Sequence, residues 1–509
     1  MMKKLTLLAI VLFSFAPVYG QDVNGDTLTI DGKLILKVWG THYERGYAHG
    51  YLLGNQVKRV MDDYVVDYIF QGSSMLYNLG FMYYQGNFEV DEKYRGEVEG
   101  IFDGIGDAGV SLYNAALGRD FTVDDGLMVN ALGDLSGVLT EYMQGNYECS
   151  TITSWGTSTQ NDPQLNGGMV VTRNFDWDMH PALLSNHLIT VNLPDEADEA
   201  NWINFGFTGL IAPFSAVSED GIAAFQNVGN YNNQTVPGPF YPISFSIRNG
   251  IELADYNGDS QHNRYDIAGA ISDEISVSSW IITTADAEEG IAVEVNNVLG
   301  AVVRTRENNI VIPDNHLAAT NHHRLLYPPS YCYRYDNIAD SLAVNEEMTI
   351  ERSWEMLGGA AGVAWNVHTV QFAPSADLLK FAAAPNTSTP AYTQEPTVFS
   401  FTELFEPPSG VQGRNGVLSD FSLSAYPNPF NASTTIPFIL DRAGQVEMTV
   451  YDVLGRRVWG SGFRVWEAGT HEFVWDAEGM ASGVYFVRLE LQSAGTLRHS
   501  EAGRVVLVR

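Results

Sequence analysis

The chain has 509 residues, 45% of them hydrophobic and 17% charged, which is typical of a globular protein with two or three packed domains. It carries 61 acidic residues against 28 lysines and arginines, a formal net charge of -33. Nucleic acid and anionic membranes would repel this charge, so we exclude both as partners. Solubility is the favoured reason for the acidity, and a calcium-rich or salty environment is the alternative.

The first twenty residues have the pattern of a signal peptide. Lys3 and Lys4 supply positive charge, a short apolar run follows over 5–15, and small residues precede Gln21. The run is too short to span a bilayer, and no later stretch approaches the necessary length. We therefore predict a signal peptide over 1–20 and a soluble, exported protein without a transmembrane segment.

A helical N-terminal part is predicted over 21–148. Apolar residues recur at three-to-four spacing over 43–70, which indicates one amphipathic helix, and a second helix is predicted over 91–107. Whether this part is a propeptide or a subunit stays open.

From residue 149 the period changes to that of strands. Runs of alternating residues separated by Asn-Gly, Asp-Gly and Glu-Gly turns predict a large antiparallel region, the core over 149–405, with helices near 262–276 and 348–358. A linker rich in Pro, Gly and polar residues is predicted over 406–420. The remaining segment, 421–509, has the pattern of a small all-β sandwich of the Ig-like kind.

The first strand of the core brings a cysteine to a charged pair. A hairpin turn centred near residue 162 places Cys149 opposite a residue between Arg173 and Asp176. A guanidinium beside a thiol favours the reactive thiolate, and a carboxylate can hold an ammonium group or orient a base. The alternative is an ordinary hairpin with a buried cysteine and a surface Arg–Asp pair.

Cys149-Ser-Thr, followed by TRNFDW over 172–177, resembles the start of the catalytic subunit in choloylglycine hydrolases and in the acyl-CoA:6-aminopenicillanic-acid acyltransferase family. The string GTHYERGYAHGYLLG over 40–54 is similar to the acyltransferase-like branch. The resemblance implies an α+β protein with the four-layer αββα fold of N-terminal-nucleophile hydrolases. It also implies self-cleavage between Glu148 and Cys149, which frees an α-amine whose pKa of about 8 suits a general base.

The same resemblance implies further site residues. It implies that Arg173 and Asp176 orient the amine and the thiolate. It also implies that Asn227 and Asn321 donate hydrogen bonds to the oxyanion, and that Arg334 lies near the site.

The function implied is hydrolysis of a linear amide bond of an N-acyl substrate through a thioester acyl-enzyme, with no catalytic cofactor. The enzymatic alternative is acyl transfer, or lipid acyl hydrolysis of the phospholipase B-like kind. The non-enzymatic alternative is a surface-binding protein stapled by a Cys149–Cys332 disulfide. We favour a free Cys332, because a Cys149–Cys332 disulfide would leave the TRNFDW string over 172–177 without a function.

One loop has the spacing of a calcium site. Asp255, Asn257, Asp259 and Asp266 stand at positions 1, 3, 5 and 12 of a loop that resembles those of dockerins, with Ser260 in place of the usual glycine. A structural calcium ion and a plain polar loop are both open interpretations.

The C-terminal segment resembles the type IX-like sorting domains of exported proteins in Bacteroidetes-like bacteria. The similar strings are YPNPFNASTTIPF over 426–438, VYDVLGRRV over 450–458 and GVYFVRL over 483–489. The resemblance implies recognition by an outer-membrane secretion machine and a secreted or surface-attached product. An Ig-like adhesion or carbohydrate-binding module is the alternative.

Overall fold

The computed structural model describes residues 23–138, 148–229, 236–309, 311–406, 428, 430–440, 444–453, 456–466, 469–477, 479–493 and 496–508. The predicted signal peptide and, apart from residue 406, the predicted linker lie outside them. The chain divides into a larger unit, Val23–Val411, and a smaller one that includes Gln412–Arg509. Among the described residues no helix is both long and apolar enough to traverse a bilayer.

The larger unit mixes helices and strands. Its first part contains β1 (Gly25–Ile30), β2 (Lys33–Gly40), α1 (His42–Arg59), α2 (Ser74–Asn87), α3 (Glu92–Asp107), β3 (Tyr113–Asn114), β4 (Arg119–Asp120), α4 (Val123–Asn130) and α5 (Leu132–Val138). The next part contains β5 (Glu148–Ser154), β6 (Val170–Asp176), α6 (Pro181–Leu184), β7 (His187–Pro194), β8 (Trp202–Phe207), β9 (Ser215–Ser218), β10 (Ala223–Val228), α7 (Ile243–Glu252), α8 (Arg264–Ser272), β11 (Trp280–Ala285), β12 (Gly290–Asn296) and β13 (Gly300–Arg304). The last part contains β14 (His316–Ala319), α9 (Tyr333–Val344), α10 (Ile350–Ala361), β15 (Asn366–Ala373), β16 (Leu378–Ala383), β17 (Thr397–Ser400) and α11 (Phe401–Phe405).

The N-terminal part is not purely helical, which corrects the prediction for 21–148. Strand β1 pairs with β2, and β2 runs parallel to β7, so both strands belong to a sheet of the core. The two predicted helices are present: α1 continues into a π-helical stretch, Val60–Ile69, and α3 is the second.

Helices α1 and α3 pack with their backbones in direct contact. A Cβ atom on Gly46 would lie 1.9 Å from the Glu97 carbonyl oxygen, and one on Gly50 would lie 1.9 Å from the Ile101 carbonyl oxygen. Only glycine permits this approach, which explains the glycine spacing within the string over 40–54.

Two sheets form the core. The order is β1-β2-β7-β8-β9-β10-β11-β12-β13 in the nine-stranded sheet and β14-β5-β6-β15-β16-β17 in the six-stranded sheet. Their facing sides share one apolar cluster, to which both contribute, for example Ile203 and Phe225 from the first and Val370 and Phe381 from the second. Helices α7 and α8 cover the other side of the nine-stranded sheet, and α9 and α10 cover that of the six-stranded sheet. The succession is therefore helices, sheet, sheet, helices.

The hairpin that carries the cysteine has the predicted register. Strands β5 and β6 are antiparallel, and Cys149 lies opposite Phe175, between Arg173 and Asp176. That prediction is confirmed.

The smaller unit consists of strands. They are β18 (Ser433–Leu440), β19 (Gly444–Tyr451), β20 (Arg457–Gly460), β21 (Arg464–Trp466), β22 (Gly469–Asp476), β23 (Gly483–Ser493) and β24 (Thr496–Leu507). One sheet pairs β18 with β22, and the other has the order β20-β19-β23-β24 with β21 beside β19. Apolar side chains of both sheets, among them Ile436, Trp475, Val450 and Val487, form one cluster. Its Ig-like character stays a prediction.

Candidate active site

The Cys149 thiol lies between the two sheets, beside a buried guanidinium. Arg173 Nη2 donates to Cys149 Sγ at 3.4 Å and also to the Gln226 carbonyl, while Nη1 donates to Ser215 Oγ at 2.7 Å. Burial raises the pKa of the Cys149 thiol, and the Arg173 charge only partly offsets this. Arg173 thus favours the thiolate as expected, but burial outweighs it, because Cys149 is only 2% exposed. Such a thiol needs a base.

The main chain of Cys149 is fixed at both ends. Its N–H donates to Asn321 Oδ1 at 3.0 Å, and its carbonyl oxygen accepts from Arg334 Nη1 at 2.9 Å. Arg334 Nη2 also donates to Asn321 Oδ1, at 2.7 Å. Residues separated by more than 170 positions in the sequence thus meet at one backbone unit.

Asp176 is a buried carboxyl at the same end of the hairpin. Asn366 Nδ2 donates to its Oδ1 at 2.9 Å, and Arg334 Nη1 lies 3.8 Å from its Oδ2. Burial raises the pKa of Asp176 to about 7, although the Arg334 charge acts in the opposite direction. Arg334 Nη2 also lies 3.6 Å from Glu148 Oε2, on the residue before the predicted cut. Asp176 can therefore exchange a proton near neutral pH.

The two asparagines predicted as oxyanion donors are both at the site, but their amide groups are already bonded. Asn227 Nδ2 donates to the Thr320 carbonyl at 3.2 Å, and Asn321 Nδ2 donates to the Val228 carbonyl at 2.8 Å. Asn321 faces Cys149 with its oxygen, as an acceptor. The geometry thus gives Asn321 the task of positioning the Cys149 nitrogen, which corrects its expected role as a donor.

Sequence reasoning missed three residues of the site, Ser215, Gln226 and Asn366. Ser215 and Gln226 come from β9 and β10, whereas Asn366 comes from β15, where a bulge disturbs the pairing with β6. The sequence has no signal for them, except that Gln226 precedes the predicted Asn227.

An aromatic wall stands beside the nucleophile. Phe175 stacks on Trp177 with ring centroids 5.5 Å apart and on Phe214 at 5.6 Å, and all three share an apolar cluster with Cys149. Trp177 Nε1 donates to Tyr64 OH at 2.8 Å. The N-terminal part therefore contributes directly to the surroundings of the thiol.

Cys332 forms no disulfide with Cys149, which contradicts the non-enzymatic alternative in its disulfide form. Both cysteines are free, and Cys332 packs with Ile152, which points to the other face of β5. Burial raises the pKa of the Cys332 thiol, but hydrogen bonds with His322 and Thr320 outweigh it and lower the pKa to about 6. Cys332 is thus the more acidic thiol, on the wrong face of the sheet for the site.

The predicted calcium loop has internal hydrogen bonds that orient its oxygens. Ser260 N–H donates to Asp255 Oδ2 at 3.0 Å, Asp259 N–H donates to Asn257 Oδ1 at 2.9 Å, and Asn257 N–H donates to Asp266 Oδ1 at 3.1 Å. Ser260 has a φ of 67°, the left-handed conformation for which such loops normally use glycine. Occupancy by calcium stays a prediction.

A second cluster of possible metal ligands is already neutralised by arginine. Ligand atoms of His42, Glu199 and Glu252 lie within 4.8 Å of one another. However, Glu252 Oε1 accepts from both Arg45 and Arg248 at 3.0 Å, and Glu199 Oε2 accepts from Arg45 at 3.0 Å. This cluster is therefore an ion-pair network that joins α1 to α7 rather than a metal site.

Residues 424–499 match the family described as the secretion system C-terminal sorting domain. The C-terminal segment is thus a sorting domain, which points to secretion or attachment at the cell surface. No curated protein matches the chain.

Among solved structures, the chain is similar to the Caenorhabditis elegans ortholog of N-acylethanolamine-hydrolyzing acid amidase, with 15% identity, a TM-score of 0.35, and coverage of 49% of this chain and 100% of that one. It is similar to a mutant conjugated bile acid hydrolase from Clostridium perfringens, with 11% identity and a TM-score of 0.29. The match covers 50% of this chain and 93% of that one. It is also similar to dimeric latent PorU from Porphyromonas gingivalis, with 19% identity and a TM-score of 0.16. The match covers 28% of this chain and 12% of that one.

Proposed function

We propose that this chain is a secreted cysteine hydrolase of the N-terminal-nucleophile type that cleaves a linear amide bond of an N-acyl substrate. One observation carries the proposal: Cys149 presents its thiol to Arg173 and its own main-chain nitrogen to Asn321 Oδ1. A cut before Cys149 would therefore create an α-amine that is already positioned next to the nucleophile. The succession of helices, sheet, sheet and helices supports the αββα fold of this class.

Self-cleavage is the first step. Cys149 Sγ attacks the Glu148 carbonyl carbon, the C–N bond breaks, and the thiol proton passes to the departing nitrogen of Cys149. Water then hydrolyses the thioester, which restores the thiol and releases the Glu148 carboxylate. Arg334 holds the Cys149 carbonyl during this exchange, at 2.9 Å from Nη1.

Turnover uses the new α-amine as the base. Because burial raises the pKa of the Cys149 thiol, the thiol keeps its proton until a base removes it. An α-amine with a pKa of about 8 is partly unprotonated near neutral pH and can act as that base. The thiolate attacks the acyl carbon of the substrate, and the ammonium returns the proton to the leaving nitrogen. Water finally hydrolyses the acyl-enzyme. Asn321 Oδ1 accepts a hydrogen bond from the α-amine and so orients the lone pair of the amine nitrogen. Asn227 Nδ2 exchanges its hydrogen bond to the Thr320 carbonyl for one to the oxyanion.

The test is the mass of the purified protein under denaturing conditions, for wild type, Cys149→Ala and Cys332→Ala. We expect a fragment that begins at Cys149 in the wild type and in Cys332→Ala, and an uncut chain in Cys149→Ala. A fragment in all three proteins, or in none, contradicts self-processing.

Activity is then measured on a panel of N-acyl amides and lipid esters. Release of free amine that is absent in Cys149→Ala supports the amidase. Acyl transfer to an added amine, or cleavage of the lipid esters alone, would assign the site to one of the enzymatic alternatives instead.

We also propose that the loop over 255–266 binds a structural calcium ion. Calcium is expected to raise the melting temperature of the wild type and not that of Asp259→Asn, while the rate of substrate turnover stays unchanged. An equal effect of calcium on both proteins would contradict a site in this loop.

A further inference from the structure

We propose that Ser215 and His368 are positioning residues that hold the Arg173 guanidinium against the nucleophile through a chain of two hydrogen bonds. This inference rests on the proposed function, because it concerns how the thiol of Cys149 is prepared for attack.

The chain of contacts crosses the space between the sheets. Arg173 Nη1 donates to Ser215 Oγ at 2.7 Å, and Ser215 Oγ lies 3.2 Å from His368 Nε2. Arg173 and His368 come from neighbouring strands of the six-stranded sheet, whereas Ser215 comes from the nine-stranded sheet. All three side chains are fully buried. Burying such polar groups in an apolar layer is unfavourable unless they are bonded to one another.

One end of the chain has a fixed direction. A guanidinium can only donate, so Ser215 Oγ accepts from Arg173, and its remaining hydrogen-bonding capacity faces His368 Nε2 at 3.2 Å. Which of these two atoms carries the shared proton depends on the tautomer of the imidazole. Burial, with the neighbouring charges of His187 and Arg173, lowers the pKa of His368 well below its ordinary value. The lowered pKa favours the neutral imidazole.

Aromatic packing fixes the far end of the chain. The His368 ring stacks on Phe175 with centroids 4.7 Å apart and lies 5.8 Å from the His187 ring. The Arg173 guanidinium lies 4.8 Å from the centre of the same Phe175 ring. Phe175 stands opposite Cys149 in the hairpin. The imidazole, the guanidinium and the thiol are thus arranged around one ring.

The experiment measures the ionisation of Cys149 by the ultraviolet absorbance of its thiolate against pH. It uses the full chain in a Cys332→Ala background, with Cys149→Ala subtracted to remove the tyrosine signal. The titratable and charged groups around the thiol are Arg173, Asp176 and Arg334, together with the α-amine of Cys149 after the cut, and none of them is substituted in the variants.

The variants are Ser215→Ala, which removes the hydroxyl to which Arg173 donates, and two substitutions of His368. His368→Phe removes the hydrogen-bonding group beside Ser215, whereas His368→Gln keeps one there. The matched controls are Ser154→Ala and His316→Phe. That pair is an equally buried serine and histidine at 2.7 Å on strands β5 and β14, and its histidine bonds the Glu346 carbonyl instead.

We expect Ser215→Ala to raise the midpoint of Cys149 ionisation by about one pH unit, a tenfold loss of thiolate below the midpoint. His368→Phe should raise it by a smaller amount, and His368→Gln should restore the wild-type midpoint. If Ser215→Ala does not fold, the comparison of His368→Phe with His368→Gln and His316→Phe decides the question.

Equal midpoints in His368→Phe, His368→Gln and His316→Phe would overturn the proposal and leave a purely structural link between the sheets. Failure of the proposed function would be seen separately, because wild type would release neither a Cys149 fragment nor an amine, whereas the thiolate titration needs no substrate.

Discussion

Placing a methyl group between α1 and α3 should separate two helices that touch through their backbones. In Gly50→Ala the new Cβ would lie 1.9 Å from the Ile101 carbonyl oxygen, 2.7 Å from its carbon and 2.9 Å from Cα. Ordinary contact begins at 3.4 Å, so the helices must move apart locally by roughly 1.5 Å. None of these three atoms can turn away, because all of them belong to a helical backbone.

The magnitude follows from two opposing effects. Alanine gains about 0.5–1 kcal/mol over glycine inside a helix, whereas overpacking a closed contact costs about 1–3 kcal/mol. Because this contact is between two helical backbones, we take the upper end of that cost, about 3 kcal/mol, and expect Gly50→Ala to lower the free energy of unfolding by about 2 kcal/mol. Gly96→Ala, on α3 with no atom within 4 Å of its Cβ, should instead raise it by about 0.5–1 kcal/mol.

The assay is urea denaturation of the full chain, followed by far-ultraviolet circular dichroism at the helical band. The helices of the described residues all lie in the larger unit, so this signal reports on that unit. The reasoning is refuted if Gly50→Ala unfolds at the same urea concentration as wild type, or shifts in the same direction as Gly96→Ala.

Three further outcomes are expected. Glu252→Gln removes the buried charge that Arg45 and Arg248 share, while Glu199 still pairs with Arg45, and should lower the free energy of unfolding by about 3 kcal/mol. Glu288→Gln, at an 81% exposed carboxylate, should change it by less than about 1 kcal/mol in the same urea assay. Although burial raises the pKa of Glu97, neighbouring positive charges outweigh it and lower the pKa to about 2, below the value in the unfolded chain. The contribution of Glu97 to the free energy of unfolding is therefore present above about pH 4.5 and is lost as the pH falls towards 2. An acid titration of Glu97→Gln should lack that part of the loss of stability. Asn227→Ala should lower kcat by about 10²–10³-fold with little change in KM, and an unchanged kcat would remove Asn227 from the oxyanion site.

The part of the site that lies on one hairpin could be predicted from the sequence. The position of the turn fixes which residues of the two strands lie opposite each other, so the register alone predicts that Cys149 lies beside the end of the strand that carries Arg173 and Asp176. Ser215, Asn366 and His368 could not be found in this way, because they reach the site through the pairing of strands that are far apart in the sequence.

Burial accounts for what the hairpin alone does not show. All ten residues of α7 are buried although half of them are polar, and the sequence pattern did not predict this helix, because its first residues, ISFSI, alternate as in a strand. The sign of the Arg173 effect on the thiol follows from the sequence, but the larger effect of desolvation on Cys149 does not, because it depends on the complete fold rather than on its neighbours in the hairpin.

The parallel pairing of β2 with β7 has a consequence for how processing must be detected. Six residue pairs, from Ile35 with Ile189 to Gly40 with Pro194, join strands on the two sides of the predicted cut. In a molecule cut before Cys149, both pieces would therefore stay hydrogen-bonded in a single sheet. Such a molecule would co-migrate with the intact chain in gel filtration. Only a denaturant separates the pieces, so a native mass equal to that of the full chain carries no information about whether the peptide bond has been broken.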